Sequence, residues 1–425
     1  MDTRILLVIA GAVLLHGWVS RRLDRLWITP PLAFIAIGII FGPSGFVLCQ
    51  LSADEPLIDF IAEITLILIL FSDASRISLR RLRREFSTPL RLLGIGLPLT
   101  IALGTLLARG LFPEFGWAEC ALLAAILAPT DAALGQAVVS SPKVPLSTRQ
   151  TLNVESGLND GIALPAVLFF AAFAGLAEGE GEGSWTTFVA TQLTLGPLIG
   201  VLVGGLGAWV TNDLARREAI DRHFVVYTNL ALALIAYGAA HELGGNGFIA
   251  AFIAGMVAGN IEEDQCGCLV EFTEEEGQLL MLLTFLFFGA SIVVPAFERA
   301  SLATFLYAAA SLTVIRMIPV AISLVGTSFR APTVLFLGWF GPRGLASILF
   351  GLAVLEAAHG NERASQIFDV VVVTVTASAV LHGFSATPLA ARYGALADRW
   401  QKEGEHPPEL AGAPDLPIPG AREQA

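Results

Sequence analysis

Charge is scarce in this chain. Only 15% of its 425 residues are Asp, Glu, Lys or Arg, against about 25% in a soluble domain. With 55% hydrophobic residues and a mean hydropathy of +0.70, that scarcity excludes an ordinary soluble fold. The net charge is −12, but the acids gather in a few loops and a tail. No basic stripe is present, so no nucleic-acid partner is expected. Cysteine is scarce too: Cys49, Cys120, Cys266 and Cys268 are too few and too scattered for a disulfide framework. Cys266 and Cys268 form a C-x-C in an acidic loop; with no His or second Cys pair beside it, no metal site is expected there. No enzymatic chemistry and no cofactor are expected. A cleavable signal is also missing. Residues 5–19 are apolar, but only Arg4 precedes them, and Arg21, Arg22 and Arg25 follow in place of a small-residue cleavage site, which predicts a retained first span.

Long apolar runs are what the chain does have. A spanning helix needs roughly 20 mostly apolar residues. Thirteen candidate spans follow from the breaks, at residues 5–19, 28–46, 56–72, 89–110, 117–139, 151–176, 187–210, 224–240, 247–260, 279–294, 300–325, 334–355 and 367–389. The expected architecture is therefore an all-α membrane protein over residues 1–395. A tail over 396–425, rich in Pro, Gly, Ala and Glu, is expected to be disordered and cytoplasmic. Numbering each loop by the span before it, odd loops and the tail carry 18 of the 25 Lys and Arg residues, and even loops with the N-terminus carry 4. This asymmetry predicts a multi-pass protein of the cell membrane with its N-terminus outside and its C-terminus cytoplasmic. The acidic loop over 261–278 leaves that orientation unchanged, because acids contribute little to it.

Three basic residues remain. Arg91, at a span start, can snorkel. Arg316 and Arg343 lie well inside apolar runs. An ionisable residue in a span costs about 2.5–3.5 kcal/mol on insertion scales, so each is a functional candidate. Span five carries Asp131, span six Glu155 and Asp160, span eleven Arg316 and span twelve Arg343. On span six, positions four apart share a helix face. Glu155 therefore stacks with Asn159, and Ser156 with Asp160, which makes an oxygen-rich surface of the kind hard cations prefer. Gly157 and Gly161 leave the adjoining surface open to close approach. Pro129 breaks span five, and Gly341-Pro342-Arg343 breaks span twelve. Each break lies in the fifth span of its half, so the pattern predicts two inverted six-helix repeats whose broken helices meet at a transport site. Asp73 is expected to face the loop after span three. His16, His241, His359 and His382 are expected to be interfacial or core residues.

Ala128-Pro129-Thr130-Asp131, followed by Asn153-x-Glu155-Ser156-x-x-Asn159-Asp160-Gly161, resembles the monovalent cation/proton antiporter family, and specifically its NhaP-type Na⁺/H⁺ exchangers. The stretches 247–255 and 338–344 look like further family segments. The resemblance covers nearly all of residues 1–395. It implies a thirteen-helix homodimer with a mobile six-helix core. It implies that Asp160 carries the ion and the proton, that Asp131, Thr130 and Ser156 line the Na⁺ site, and that Glu155 pairs with Arg316. The Asn159-Asp160 pair resembles the electroneutral branch of the family. Relatives often have an acid directly after the Phe near the end of span three, whereas here Ser72 follows Phe71, so a third acidic ligand is not expected. The expected function is exchange of Na⁺, or of Li⁺ or K⁺, for H⁺ by competition for Asp160. A passive channel would need a continuous polar path, and an intramembrane aspartyl hydrolase a shared-proton dyad that the arginines would disturb; neither fits the pattern as well.

Overall fold

The computed structural model describes residues 3–46, 56–75, 87–131, 134–176, 185–261 and 267–403. Among them every regular element is helical, and each of the thirteen apolar stretches carries helix. The order is α1 (Thr3–Arg25), α2 (Pro30–Phe41), α3 (Pro56–Ser75), α4 (Ser87–Arg91), π1 (Leu92–Gly96), α5 (Leu97–Leu111), α6 (Trp117–Ile126), α7 (Gln136–Val139), α8 (Leu146–Phe173), α9 (Trp185–Arg216), α10 (Arg222–Glu242), α11 (Gly247–Ile261), α12 (Gly267–Phe287), π2 (Phe288–Val293), α13 (Val294–Arg299), α14 (Leu302–Leu312), α15 (Val314–Ser323), α16 (Ala331–Trp339), α17 (Leu345–Ala357) and α18 (Glu362–Lys402). Seven of the described helical segments are long and apolar enough to cross a membrane.

Two spans contain a π turn that the apolar pattern does not announce. π1 ends just before Leu97-Pro98, and π2 just before Val294-Pro295. A proline ring cannot donate to the carbonyl four residues back and collides with it. Widening the preceding turn relieves the collision without ending the helix.

Packing sorts the helices into two groups. α9 lies along α11 and α10, α11 packs on α3, and α12 packs on α2 and α3. These contacts are close: a Cβ at Gly255 of α11 would enter the α3 backbone at Phe71. The second group contains α5 with α6, α6 with α8, α14 and α17 with α18, and α15 with α16. The groups meet where α8 touches α3 and α9, and where α17 touches α3. The outer faces expose Leu202, Trp209, Phe224 and Ile235, apolar side chains that a bilayer, not water, would cover.

Two expectations need correction. α18 runs to Lys402, past the boundary expected at 395. Ala397 and Trp400 are buried, the Arg330 guanidinium lies 4.6 Å from the Trp400 ring centroid, and the Tyr393 hydroxyl bonds Thr148 and Thr333 at 3.3 and 3.0 Å. These contacts hold the last turns of α18 against the bundle. The rest of the expected tail, 404–425, lies outside the described residues, as does Cys266 of the C-x-C pair. Arg91 does not simply snorkel. It donates to the carbonyls of Ser323, at 2.7 Å, and of Val325, which are left over at the end of α15.

Candidate functional site

The site forms where two interrupted helices meet. α6 ends at Ile126, and residues 127–131 run on without helix. α16 ends at Trp339, and residues 340–344 run on without helix until α17 begins. A chain opened inside an apolar body leaves backbone groups that must be satisfied within the protein. Here each break satisfies the other. The Asp131 amide donates to the Pro342 carbonyl at 2.8 Å. Arg343 Nη1 donates to the Ala128 and Pro129 carbonyls at 2.6 and 3.1 Å. Ser347 Oγ donates to Ile126 O at 2.7 Å. Arg343 is fully buried, and it satisfies the break in span five, not the break in its own span.

Asp131 completes the crossing. Its Oδ2 accepts from the Leu345 amide at 2.8 Å, and its Oδ1 from the Leu134 amide at 3.4 Å. The carboxylate therefore sits on the N-terminus of α17, where the helix dipole favours negative charge. Gly344 makes room for it, since a Cβ there would overlap the Asp131 carboxylate. Gly344→Ala should therefore push Asp131 off α17. We expect the thermal midpoint to fall by a few degrees; a wild-type midpoint would show that this contact is dispensable.

Span six supplies the rest. α8 places Glu155, Ser156, Asn159 and Asp160 in its buried middle. Glu155 and Arg316 form a bidentate pair, with Nη1 to Oε1 at 2.6 Å and Nη2 to Oε2 at 2.9 Å. Both side chains are almost wholly enclosed, at 3% and 6% exposure. Gly341 gives the guanidinium its space, because a Cβ there would strike it. Asn159 Nδ2 donates to Thr130 Oγ1 at 2.6 Å, and Thr130 Oγ1 and Ser156 Oγ share a hydrogen bond at 3.0 Å. Among the described residues, Asp160 Oδ1 and Asn159 Oδ1 are buried without a hydrogen-bond partner. The result is a small oxygen-rich cluster with unused acceptors, beside a carboxylate buried to 7% exposure.

All the residues singled out in spans five, six, eleven and twelve thus come together at or around this crossing, with Pro129 and Pro342 at its two breaks. Three supports were not legible in the sequence. Asp73 does not simply face the loop: it is half-buried, its Cβ lies 3.9 Å from where a Cβ on Gly157 would sit, and it acts electrostatically on Asp160 together with Asp131. Ser378 Oγ accepts from the Arg343 amide at 2.7 Å. His382, buried as expected, also braces a helix end. Its Nε2 lies 2.9 Å from the Trp339 carbonyl at the end of α16, and its Nδ1 lies 3.1 Å from Ser378 Oγ. No spacing rule connects α18 to a break some forty residues earlier. Among the described residues, no cluster of three His, Cys, Asp or Glu could hold a resident metal.

The family of transmembrane sodium/hydrogen exchangers matches residues 9–392. A K⁺/H⁺ antiporter NhaP from Alkalimonas amylolytica is 27% identical over 84% of this chain and 61% of its own length. A Na⁺/H⁺ antiporter NhaP from Pseudomonas aeruginosa is 28% identical over 80% of this chain and 82% of its own. The chain thus spans under two thirds of the K⁺/H⁺ relatives it matches, 61% of the Alkalimonas protein and 63% of one from Shewanella baltica. In three dimensions, the sodium proton antiporter MjNhaP1 of Methanocaldococcus jannaschii superposes with a TM-score of 0.75 at 21% identity, over 92% of this chain and 98% of that one, and so shares its fold. The family match covers nearly the whole chain, and the crossing of broken helices lies inside it: this protein belongs to the transmembrane sodium/hydrogen exchanger family.

Proposed function

We propose that the protein exchanges a monovalent cation, Na⁺ or K⁺, for H⁺ across the membrane by competition for Asp160. The observation that carries this reading is the buried Asp160 carboxylate, with an oxygen unpartnered among the described residues, directly after Asn159, whose amide bonds the paired Thr130 and Ser156 hydroxyls. Burial disfavours a naked carboxylate, so the group calls for either a proton or a dehydrated cation. Around it the fixed charges balance: Asp131 and Glu155 are two negatives, Arg316 and Arg343 two positives. One compensating charge on Asp160, whether proton or cation, then gives the site the same charge in both loaded states, which supports one-for-one, electroneutral exchange. An arginine at position 316 cannot release a second proton, as a lysine there could. Asp73, nearer the end of α3, adds negative potential that draws cations toward Asp160.

Thr130, Ser156 and Asp160, with Asn159 Oδ1, are the candidate ligands of the cation. Asp131 acts chiefly by capping α17 and fixing the crossing. The two helix groups would then be the two bodies of an alternating-access machine, working as a homodimer in the cell membrane with the C-terminus in the cytoplasm. The names of the relatives divide between Na⁺ and K⁺, and the site's hydroxyl and carboxylate oxygens would accept either.

The test is proton flux in proteoliposomes carrying an interior pH dye. Pulses of NaCl, LiCl or KCl, but not choline chloride, should make the interior more alkaline. The initial rate should not change when a membrane potential is imposed. If no cation moves protons, or if choline serves as well, the reading fails; a voltage-dependent rate removes the one-for-one stoichiometry.

A further inference from the structure

Glu63 is an ionisable group inside a span with no part in the crossing. Glu63 lies in the third apolar stretch, eight residues into α3, and is partly buried. It accepts a hydrogen bond from the Tyr237 hydroxyl of α10. A carboxylate at that depth requires a partner and a reason. Tyr237 supplies the partner, and its ring is itself held by Phe248, at 5.0 Å between centroids, and by His241, at 6.0 Å. A second carboxylate, Glu356 in the last turn of α17, lies within electrostatic reach of Tyr237.

The two helices that carry these glutamates also reach the ion site. Ten residues along α3 from Glu63, about 15 Å of helix, stands Asp73, beside Gly157 of α8. Eleven residues back along α17 from Glu356, about 16 Å, stands Leu345, whose amide is bonded to Asp131. α3 and α17 pack against each other, one from each helix group. Both therefore run from the crossing to Tyr237, and each carries a carboxylate at the far end. The C-terminus of α17 adds the negative end of its dipole at the same place.

We propose that Glu63, held by Tyr237, and Glu356 are the electrostatic mouth of the pathway between α3 and α17, steering cations to Asp160 from the face of the membrane where α3 begins. The two glutamates act at a distance and are not ligands of the transported ion. They set the apparent affinity on one face only, because the path from the other face enters at the opposite end of α3. The inference rests on the antiport reading.

The experiment uses the full chain in uniformly oriented proteoliposomes, with the cation applied to either face at low ionic strength and again in choline chloride at about 0.5 M, where the Debye length falls to a few ångströms. On the face where α3 begins, Glu63→Gln and Glu356→Gln should each raise half-saturating Na⁺ (or K⁺, whichever the wild type exchanges) by about three- to tenfold at low salt. High salt should shrink the difference below about twofold. Maximal rate, and half-saturation on the opposite face, should stay at wild-type values, and Glu63→Asp should restore normal affinity. Unchanged kinetics in Glu63→Gln, or equal losses on both faces at every salt concentration, would overturn the steering role and leave Glu63 a packing residue. Exchange in the wild type with unaltered variants would sink only this inference, whereas a wild type that moves no protons with any cation would sink the antiport reading and this one with it.

Discussion

Asp160→Asn should abolish cation-driven proton movement while the protein stays folded. The side chain keeps its volume and one acceptor but loses a carboxylate whose Oδ1 is buried without a hydrogen-bond partner among the described residues. An amide can neither take up a proton in this pH range nor neutralise a dehydrated cation. The loss is therefore one of kind: transport should drop by at least two orders of magnitude, on the scale associated with removing a proton-transfer group. Folding should survive, because the substitution removes an uncompensated buried charge; the thermal midpoint in detergent should be unchanged or slightly raised. Asp160→Glu keeps the chemistry and moves it by one methylene, so it should retain measurable exchange with altered cation affinity. Robust exchange in Asp160→Asn would take Asp160 out of the central role, and Asp131 or Asp73 would have to take its place.

Breaking the Glu155–Arg316 pair has the largest expected effect on stability. Both partners are buried and bonded through both oxygens. Removing one leaves a charge enclosed without compensation, at a cost of about 3–5 kcal/mol. Arg316→Met would strand the Glu155 carboxylate, and Glu155→Gln would strand a guanidinium whose Nε has no partner. Each single variant should unfold at markedly lower temperature. The double variant Glu155→Leu/Arg316→Met removes both charges together and should recover most of the loss. If the singles unfold like the wild type, the pair is not holding α8 against α15. If the double variant is stable and still exchanges protons, the pair is scaffold only. If it is stable but inactive, the arginine's fixed positive charge is part of the charge balance at Asp160.

Much of this was legible from residue order. The apolar runs located every described helical stretch because a chain that must satisfy its own backbone in lipid has little choice but helix. The same cost made the ionisable groups deep in spans five, six, eleven and twelve conspicuous, so Asp131, Glu155, Asp160, Arg316 and Arg343 stood out from residue order alone. Proline marked the broken span five, and Gly341-Pro342 its counterpart. Glu63 meets the same criterion but hides near the start of α3, where the apolar pattern is weakest. The end of α18 was misplaced because composition reports what a segment is made of, not whether Tyr393 and Trp400 find something to pack against.

What the sequence determined by itself was the class of protein and the identity of the charged residues, since the cost of placing polar groups in an apolar medium depends on local composition alone. Which charge meets which was decided only by tertiary structure. Arg343 could have satisfied its own helix, and it crosses to the carbonyls of Ala128 and Pro129 instead. Asp131 could have been purely an ion ligand, and it caps α17. Asp73 could have faced the loop, and it lies against Gly157. His382 and Ser378 come from a helix some forty residues past the break they brace. Hydrogen bonds act over about 3 Å, and only packing brings residues that far apart in the chain to that distance.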